Sequence, residues 1–450
     1  MSPSALAFTA SALAAAGLVA AWPPERPSGT TPTPEQLAWQ DLEYGMFVHF
    51  SINTFNDMEW SDGTLSPSTF NPTAFDPKQW ARVAKDAGMK YLVFTAKHHD
   101  GFCTWPSAYT DYSVRSSPWR DGKGDCVREV ADACREAGLR FGIYLSPWDR
   151  HAPSYADNAA YDRYYTDQIR ELLTNYGDVM EWWCDGAGGE GHVYDWAGYY
   201  RALKQLQPSC LQAIAGNSDI RWVGNEDGLA PDTLWNVVHV DGQPYWWPAE
   251  CDVPLRRNWF WHTDDADSAK SLDHLLDIYH RSVGHGAGLL LNVAPDRRGL
   301  IPEADAARVR ELWDTVCRLY RLDMARSRAC DASSSTPLHP ARLACDGDPN
   351  TYWRAAEGDA RPWITVKLGD TRRIDRVVLE EYLPLGQHVS GFRVQCFDGD
   401  EWTNVFEGTT IGHKRIAVFA AVPAQVVRVR LQTEAGTPAL RSLGVYLGEE

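Results

Sequence analysis

Residues 77–101 read PKQWARVAKDAGMKYLVFTAKHHDG. Pro77–Ala87 has the apolar spacing of an amphipathic helix, and Gly88 ends it as a helix-stopping residue should. Tyr91–Ala96 is a short β-rich run with little alternation, as expected of a strand covered on both faces. At its end stand Lys97, His98, His99 and Asp100. A helix, a glycine, a buried strand and a polar strand end make one unit of a parallel α/β sheet.

The unit recurs from Gln36 to about Leu322. Further strands are expected at Tyr44–Phe50, Arg140–Leu145, Val179–Asp185 and Gly288–Val293. Further helices are expected at Cys126–Ala137, Tyr161–Asn175, Trp196–Gln207, Ala269–His285 and Glu303–Leu319. Gln212–Ala215 and Leu234–Val238 are weaker strands with little helix between them. The fold predicted for residues 36–322 is therefore α/β, a (β/α)8-type, TIM-like barrel that is irregular in its second half.

Such barrels place their active sites at the C-terminal ends of the strands. Reading those ends in turn gives His49, His98-His99-Asp100, Tyr144, Asp185 and Asn292. Five polar strand ends in register point to one working rim. His98 and His99 are adjacent on an extended strand and so face opposite ways, which is poor geometry for chelating one ion. No metal site is assigned. As neutral imidazoles, the histidines would exchange hydrogen bonds with hydroxyls.

Asp185 follows Trp182-Trp183-Cys184 and precedes the glycine-rich Gly186–Gly191. A carboxylate between indoles and a glycine turn suits sugar chemistry, which needs a second carboxyl. The separation is about 5–5.5 Å for retention and about 6.5–9.5 Å for inversion. Glu226 and Glu250 both sit in Trp-rich stretches, and spacing alone does not choose between them.

Composition agrees with a sugar-processing enzyme. The 450 residues suggest two domains, and 44% apolar with 23% charged residues is ordinary for a globular chain. A net charge of -17 argues against nucleic acid as a partner. The chain holds 20 Trp and 19 Tyr, whose faces suit sugar C–H surfaces. Ten Cys occur without a C-x-x-C pair, and buried free thiols are the default reading, with one or two disulfides left open. Ser4–Trp22 is a small, apolar run followed by a Pro-rich spacer. Residues 1–35 thus read as a secretory signal and spacer for an extracellular enzyme, although no Lys or Arg precedes the run. No other stretch is long and apolar enough to span a membrane.

Taken together, Trp39–Phe55, Lys97–Phe102, Tyr144–Trp148, Trp183–Gly191, Arg221–Glu226, Glu250–Val253 and Leu290–Gly299 resemble the α-L-fucosidases of glycoside hydrolase family 29. The resemblance implies hydrolysis of terminal α-1,3/1,4-linked L-fucose from an oligosaccharide or glycoprotein glycan, with retention. It implies Asp185 as nucleophile and Glu226 as acid/base, with Glu250 as the alternative. His49, His98, His99, Tyr144 and Trp183 would line the fucose subsite, and Glu59-Trp60 would grip the sugar. Ser51, Cys184, Gly188 and Pro254 depart from the family pattern. For the neighbouring galactose of a branched glycan, Asp241–Asp252 offers Gln243, Tyr245, Trp246, Trp247 and Glu250. No cofactor is expected for catalysis. The alternatives are a catalytically silent sugar-binding protein and a glycosidase for another monosaccharide. The paired carboxylates argue against the first.

After Leu322 helical signals vanish, and β-rich runs appear at Trp363–Leu368, Arg376–Glu381, Phe392–Phe397, Arg415–Phe419 and Val426–Gln432. Residues 323–450 read as an all-β sandwich. Ala344–Trp353 and Ile364–Gly369 resemble the discoidin-like (coagulation factor C-type) modules. These modules often bind sugar and sometimes a structural Ca²⁺, which Asp346-Gly347-Asp348 could hold. No exposed aromatic cluster is legible in this half, so bracing of the barrel is the favoured role.

Overall fold

The computed structural model describes residues 29–448 apart from Ala187, Glu190 and Asn217. The N-terminal run therefore lies outside the described residues. Eight parallel strands run Tyr44–Val48, Tyr91–Lys97, Arg140–Leu145, Glu181–Cys184, Leu211–Ile214, Arg221–Trp222, Ala249–Pro254 and Gly288–Asn292. Neighbours in sequence are neighbours in the sheet, and the eighth strand returns to the first. The fifth and sixth meet only through the Ala213–Ile220 bridge, where Ile214 N–H donates to the Ile220 carbonyl at 2.9 Å. The barrel is thus nearly closed.

Local chemistry explains the regular half. Asp76 caps the helix Pro77–Asp86 by accepting from Gln79 N–H, and Asp125 does the same for Cys126–Ala137 through Arg128 N–H. Gly88 has φ +73°, and a side chain there would run into the Trp313 ring.

The irregular half departs from expectation. Leu234–Val238 is not a barrel strand; the chain instead makes an antiparallel hairpin, Val237–Val240 with Gln243–Trp246. The sixth and seventh strands went unrecognised because one is two residues long and the other, AECDVP, carries two acids and a proline. Among the described residues, no helix separates the fifth strand from the seventh.

The seventh strand points its acids into the barrel. Glu250 is wholly buried and accepts from Tyr91 O–H and Trp183 Nε1–H, both at 2.9 Å. Beside it Glu181 accepts from Trp39 Nε1–H at 3.0 Å. The other Glu181 oxygen is buried without a hydrogen-bond partner, close to Glu250 in the dry floor. Burial pushes Glu250 up to about 7, and raises Glu181 well above the usual range with Glu250 adding to it.

The second unit is one seven-stranded antiparallel sheet folded over itself. Its long strands Trp363–Glu381 and Arg415–Thr433 change register at bulges, after Lys367 and after Ile374, and so serve both layers. Ile364, Val366, Val394, Val427, Val429 and Leu443 fill the space between the layers. One layer packs on the barrel, placing Val378 and Ile416 in the barrel's own core. At that boundary Glu43 pairs with His413 and Lys414, and Arg441 bridges Asp41 and Glu380. Gln387 accepts from Asn236 N–H and donates to the Leu234 carbonyl. In the turn considered for Ca²⁺, Asp346 accepts from Thr351 O–H and Asp348 N–H, and Asp348 from Asn350. The ten thiols are free; Cys330 and Cys345 bring their Sγ atoms to 2.9 Å.

The floor pair has a pH signature. An acid whose folded pKa is raised stabilises fully below its unfolded pKa, and that stability is lost as pH rises, by up to ~1.4 kcal/mol per pH unit per retained proton. Glu181→Gln keeps a neutral donor toward Glu250 and an acceptor for Trp39 while removing one titration. Its melting temperature should therefore fall less steeply than the parent's between about pH 5 and 8. Parallel curves would rule out the raised pKa of the floor pair.

Candidate active site

The strand ends converge above that floor. Trp183 rests on Glu250, and its ring lies 5.3 Å from Tyr144 at 25°. Tyr144 in turn stacks with His98 at 5.7 Å and 15°. The Tyr144 O–H donates to Asp185 Oδ2 at 2.9 Å, and His99 Nε2 stands 3.6 Å from the same oxygen. Asp185 remains 22% exposed at the mouth. Its carboxylate is therefore oriented by a phenol while one side stays open to a substrate.

Hydrogen bonds settle the histidine tautomers. Asn292 donates its amide to the Trp259 carbonyl at 2.7 Å, so its oxygen accepts from His49 Nδ1–H at 2.9 Å. Ser146 donates to the Trp148 carbonyl at 2.7 Å, so its oxygen accepts from His99 Nδ1–H at 2.8 Å. Each ring then presents Nε2 as an acceptor for a hydroxyl. Burial pushes His49 down to about 4, and drives His98 well below the usual imidazole range with His99 and His49 adding to the effect. Burial also lowers His99, against the pull of Asp185. His98 Nδ1 is buried without a protein partner. Three neutral imidazoles facing one cavity suit a polyhydroxylated ligand.

Glu226 follows the sixth strand on the same rim. Burial raises its pKa, the Trp259 indole hydrogen bond opposes this, and the charges of Asp185 and Glu59 reinforce it. A carboxyl whose pKa is raised by a neighbouring carboxylate is the arrangement that general-acid chemistry uses.

Trp60 is 51% exposed and meets His99 and Trp148 edge-on. Glu59 instead accepts from Trp259 N–H, Phe260 N–H and His262 Nε2, so it fixes the loop that carries Trp259. Two expected site residues are not at the rim. Glu250 lies in the floor, with both oxygens taken by Tyr91 and Trp183. Trp246 is only 3% exposed and donates to Gln40 of the helix Pro34–Gln40. That helix and the Asp241–Pro248 segment both precede barrel strands, which places them at the opposite end from Asp185. The proposed galactose platform at Trp246 is therefore corrected: the chain direction puts it under the barrel.

Other residues escaped the sequence reading. Trp259 packs 5.1 Å from His49, and only the aromatic density of Asn258–His262 hinted at it. Trp222 faces the lumen, is still 38% exposed, and donates to the buried Asp252 at 2.6 Å. Burial raises Asp252 well above the usual carboxylate range, opposed by the Trp222 hydrogen bond and reinforced by Glu226 and Glu250. Lys97, buried behind the rim, donates to Asp149 and Gln168 at 2.9 Å each; Asp149 caps the turn beyond Trp148. The departure at Gly188 also has a cause, since a side chain there would collide with the Trp148 ring.

Comparison with known proteins places this arrangement. The alpha-L-fucosidase family model matches residues 53–314, and the F5/8 type C domain model matches residues 329–443. A putative alpha-L-fucosidase 1 of Oryza sativa subsp. japonica is 38% identical, over 96% of this chain and 87% of its own length. The crystal structure of SpGH29 superposes with a TM-score of 0.90 at 36% identity, covering 94% of this chain and all of that one. A Ruminococcus gnavus GH29 fucosidase in complex with fucose gives 0.87 at 30%, over 94% and 96%. With one match spanning most of the barrel and relatives running nearly end to end, the chain belongs to the α-L-fucosidases, glycoside hydrolase family 29, here joined to an F5/8 type C domain.

Proposed function

We propose that this α-L-fucosidase releases terminal α-1,3/1,4-linked fucose with retention, using Asp185 as nucleophile and Glu226 as acid/base. The observation that carries the reading is the pair itself. Asp185 is held open at the rim by Tyr144, while the pKa of Glu226 is raised by burial and by the charge of Asp185. In the reaction the Asp185 carboxylate attacks the anomeric carbon as Glu226 protonates the departing oxygen. Glu226 then takes a proton from water, which releases fucose from Asp185. The neutral imidazoles and Tyr144 would hold the fucose hydroxyls. The N-terminal run supports secretion, to be tested by recovering the processed enzyme from the medium. A structural Ca²⁺ at Asp346–Asp348 would show as a melting temperature lowered by chelator, and an unchanged value would discard it.

Linkage preference rests on a second sugar beside fucose. Trp222 is the indole placed to receive it: exposed, facing the lumen, anchored by Asp252 and four residues from Glu226.

Asp185→Gly should lower kcat by about 10⁴-fold without loss of fold, and azide should restore turnover with inverted fucosyl azide as product. Turnover close to the parent's would remove Asp185 from the role. Glu226→Ala should lose about 10²–10⁴-fold on oligosaccharides, far less on aryl fucosides with good leaving groups, and should lose the basic limb of the pH profile. The same selective pattern in Glu250→Ala alone would reverse the assignment. The parent should cleave α-1,3/1,4-fucosylated trisaccharides in strong preference to α-1,2-fucosyllactose, and Trp222→Ala should shrink that preference about tenfold. Equal cleavage of both linkages by the parent would refute the linkage reading alone.

A further inference from the structure

The sandwich layer far from the barrel has an outer face with unusual chemistry. Its inward residues, Ile364, Val427, Val429, Val394 and Cys396, belong to the sandwich core. By strand alternation, Trp363, Arg428, Arg430, Gln395, Phe397 and Trp402 then face outward on four adjacent strands. The Arg428 guanidinium lies 3.6 Å from the centre of the Trp402 ring and 5.7 Å from that of Trp363. Phe397 and Trp402 meet at 5.4 Å. Arg430 Nε donates to Gln395 at 2.8 Å, and Gln395 donates to Asn404 at 2.7 Å. Indole faces, a fork of N–H donors and side-chain amides thus share one flat surface.

The charges on this face are unmatched. Nearby cations have carboxylates: Arg393 pairs with Glu407 at 2.7 Å and Lys367 with Asp331 at 2.8 Å. Among the described residues, Arg428 and Arg430 have none, although the chain carries a net charge of -17. They sit two positions apart on one strand, ~7 Å between Cα atoms, where like charges repel. Arg428 Nε is shielded from solvent with no hydrogen-bond partner. The bordering turn carries Asp398, Asp400 and Glu401, but among the described residues none of them forms an ion pair with Arg428 or Arg430, and Asp398 faces the backbone N–H groups of Asp400 and Glu401. A bound anion would relieve the repulsion between the two guanidinium groups.

We propose that this face binds an extended acidic polysaccharide through its carboxylates, with Arg428 and Arg430 taking the charge and Trp402 and Phe397 stacking on the sugar rings. A guanidinium fork matches a planar carboxylate in two parallel hydrogen bonds. Aromatic faces beside it favour a carboxylated sugar ring over a free carboxylic acid. A flat four-stranded surface fits a linear polyuronate. Such binding would hold the hydrolase on a charged glycan matrix while the barrel works on fucose some distance away.

The test uses the purified full chain in affinity electrophoresis and calorimetry with polygalacturonate, its methyl ester and dextran sulfate. Polygalacturonate should bind, salt should weaken that binding, and the methyl ester should bind at least tenfold more weakly. Arg428→Gln with Arg430→Gln, and separately Trp402→Ala, should each cost at least tenfold. Hydrolysis of an aryl fucoside should be unchanged in both. Arg430→Glu, at an exposed position, gives the same answer if the Arg428 variant unfolds. Absence of binding to polygalacturonate, equal binding of its methyl ester, or binding to dextran sulfate that is indifferent to Trp402 would each overturn the proposal.

Discussion

The hydrogen bond from the Trp183 indole to the buried Glu250 supports everything above it. Trp183 carries Tyr144, Tyr144 carries His98, and the Tyr144 hydroxyl aims Asp185. A carboxyl in a dry barrel floor is costly unless every lone pair is used. Tyr91 and Trp183 each serve one oxygen of Glu250, Trp39 serves one of Glu181, and the raised pKa of both carboxyls disfavours charge on the remaining oxygen. The floor thereby exchanges hydrophobic filling for orientation. An apolar pair could pack as densely, but it would not fix the azimuth of the indole on which the subsite is built.

One principle then runs upward through the lumen. Burial raises the pKa of the acids and lowers that of the imidazoles, which disfavours charge in a cavity crowded with titratable groups. Glu181 and Glu250, Asp252 and Glu226 all have raised pKa values, and His49, His98 and His99 all have lowered ones. A neutral sugar meets donors and acceptors there rather than ions. Asp185 differs in its position: it stands at the mouth, partly in water, where a carboxylate costs least.

The sandwich is tied to the barrel end opposite Asp185. Glu43, immediately before the first strand, accepts from Lys414 and His413, and the Asn236–Gln387 contact fixes the chain just before the hairpin. Bracing is therefore one evident role of this unit, as its sequence suggests. Its far layer contributes nothing to that contact, which leaves the Arg428–Trp402 face free for a separate purpose.

Sequence alone determined the barrel, its open working rim and most of what stands there. Each parallel strand–helix unit delivers its strand end to the same side, so reading His49, His98, His99, Tyr144, Asp185 and Asn292 off successive ends required only local periodicity. The resemblance to a known family supplied roles for those positions. Tertiary structure alone decided depth and side. Glu250 and Asp252 sit two residues apart on one strand, yet the first seals the floor and the second anchors Trp222. Trp246 is apolar enough for a sugar platform but precedes its strand and so lies under the barrel. Arg428, Trp402 and Trp363 are distant in the chain and meet only through antiparallel register. Periodicity reports which face a residue takes, but burial and distance between remote segments arise from how strands pair, and no local stretch of residues encodes that.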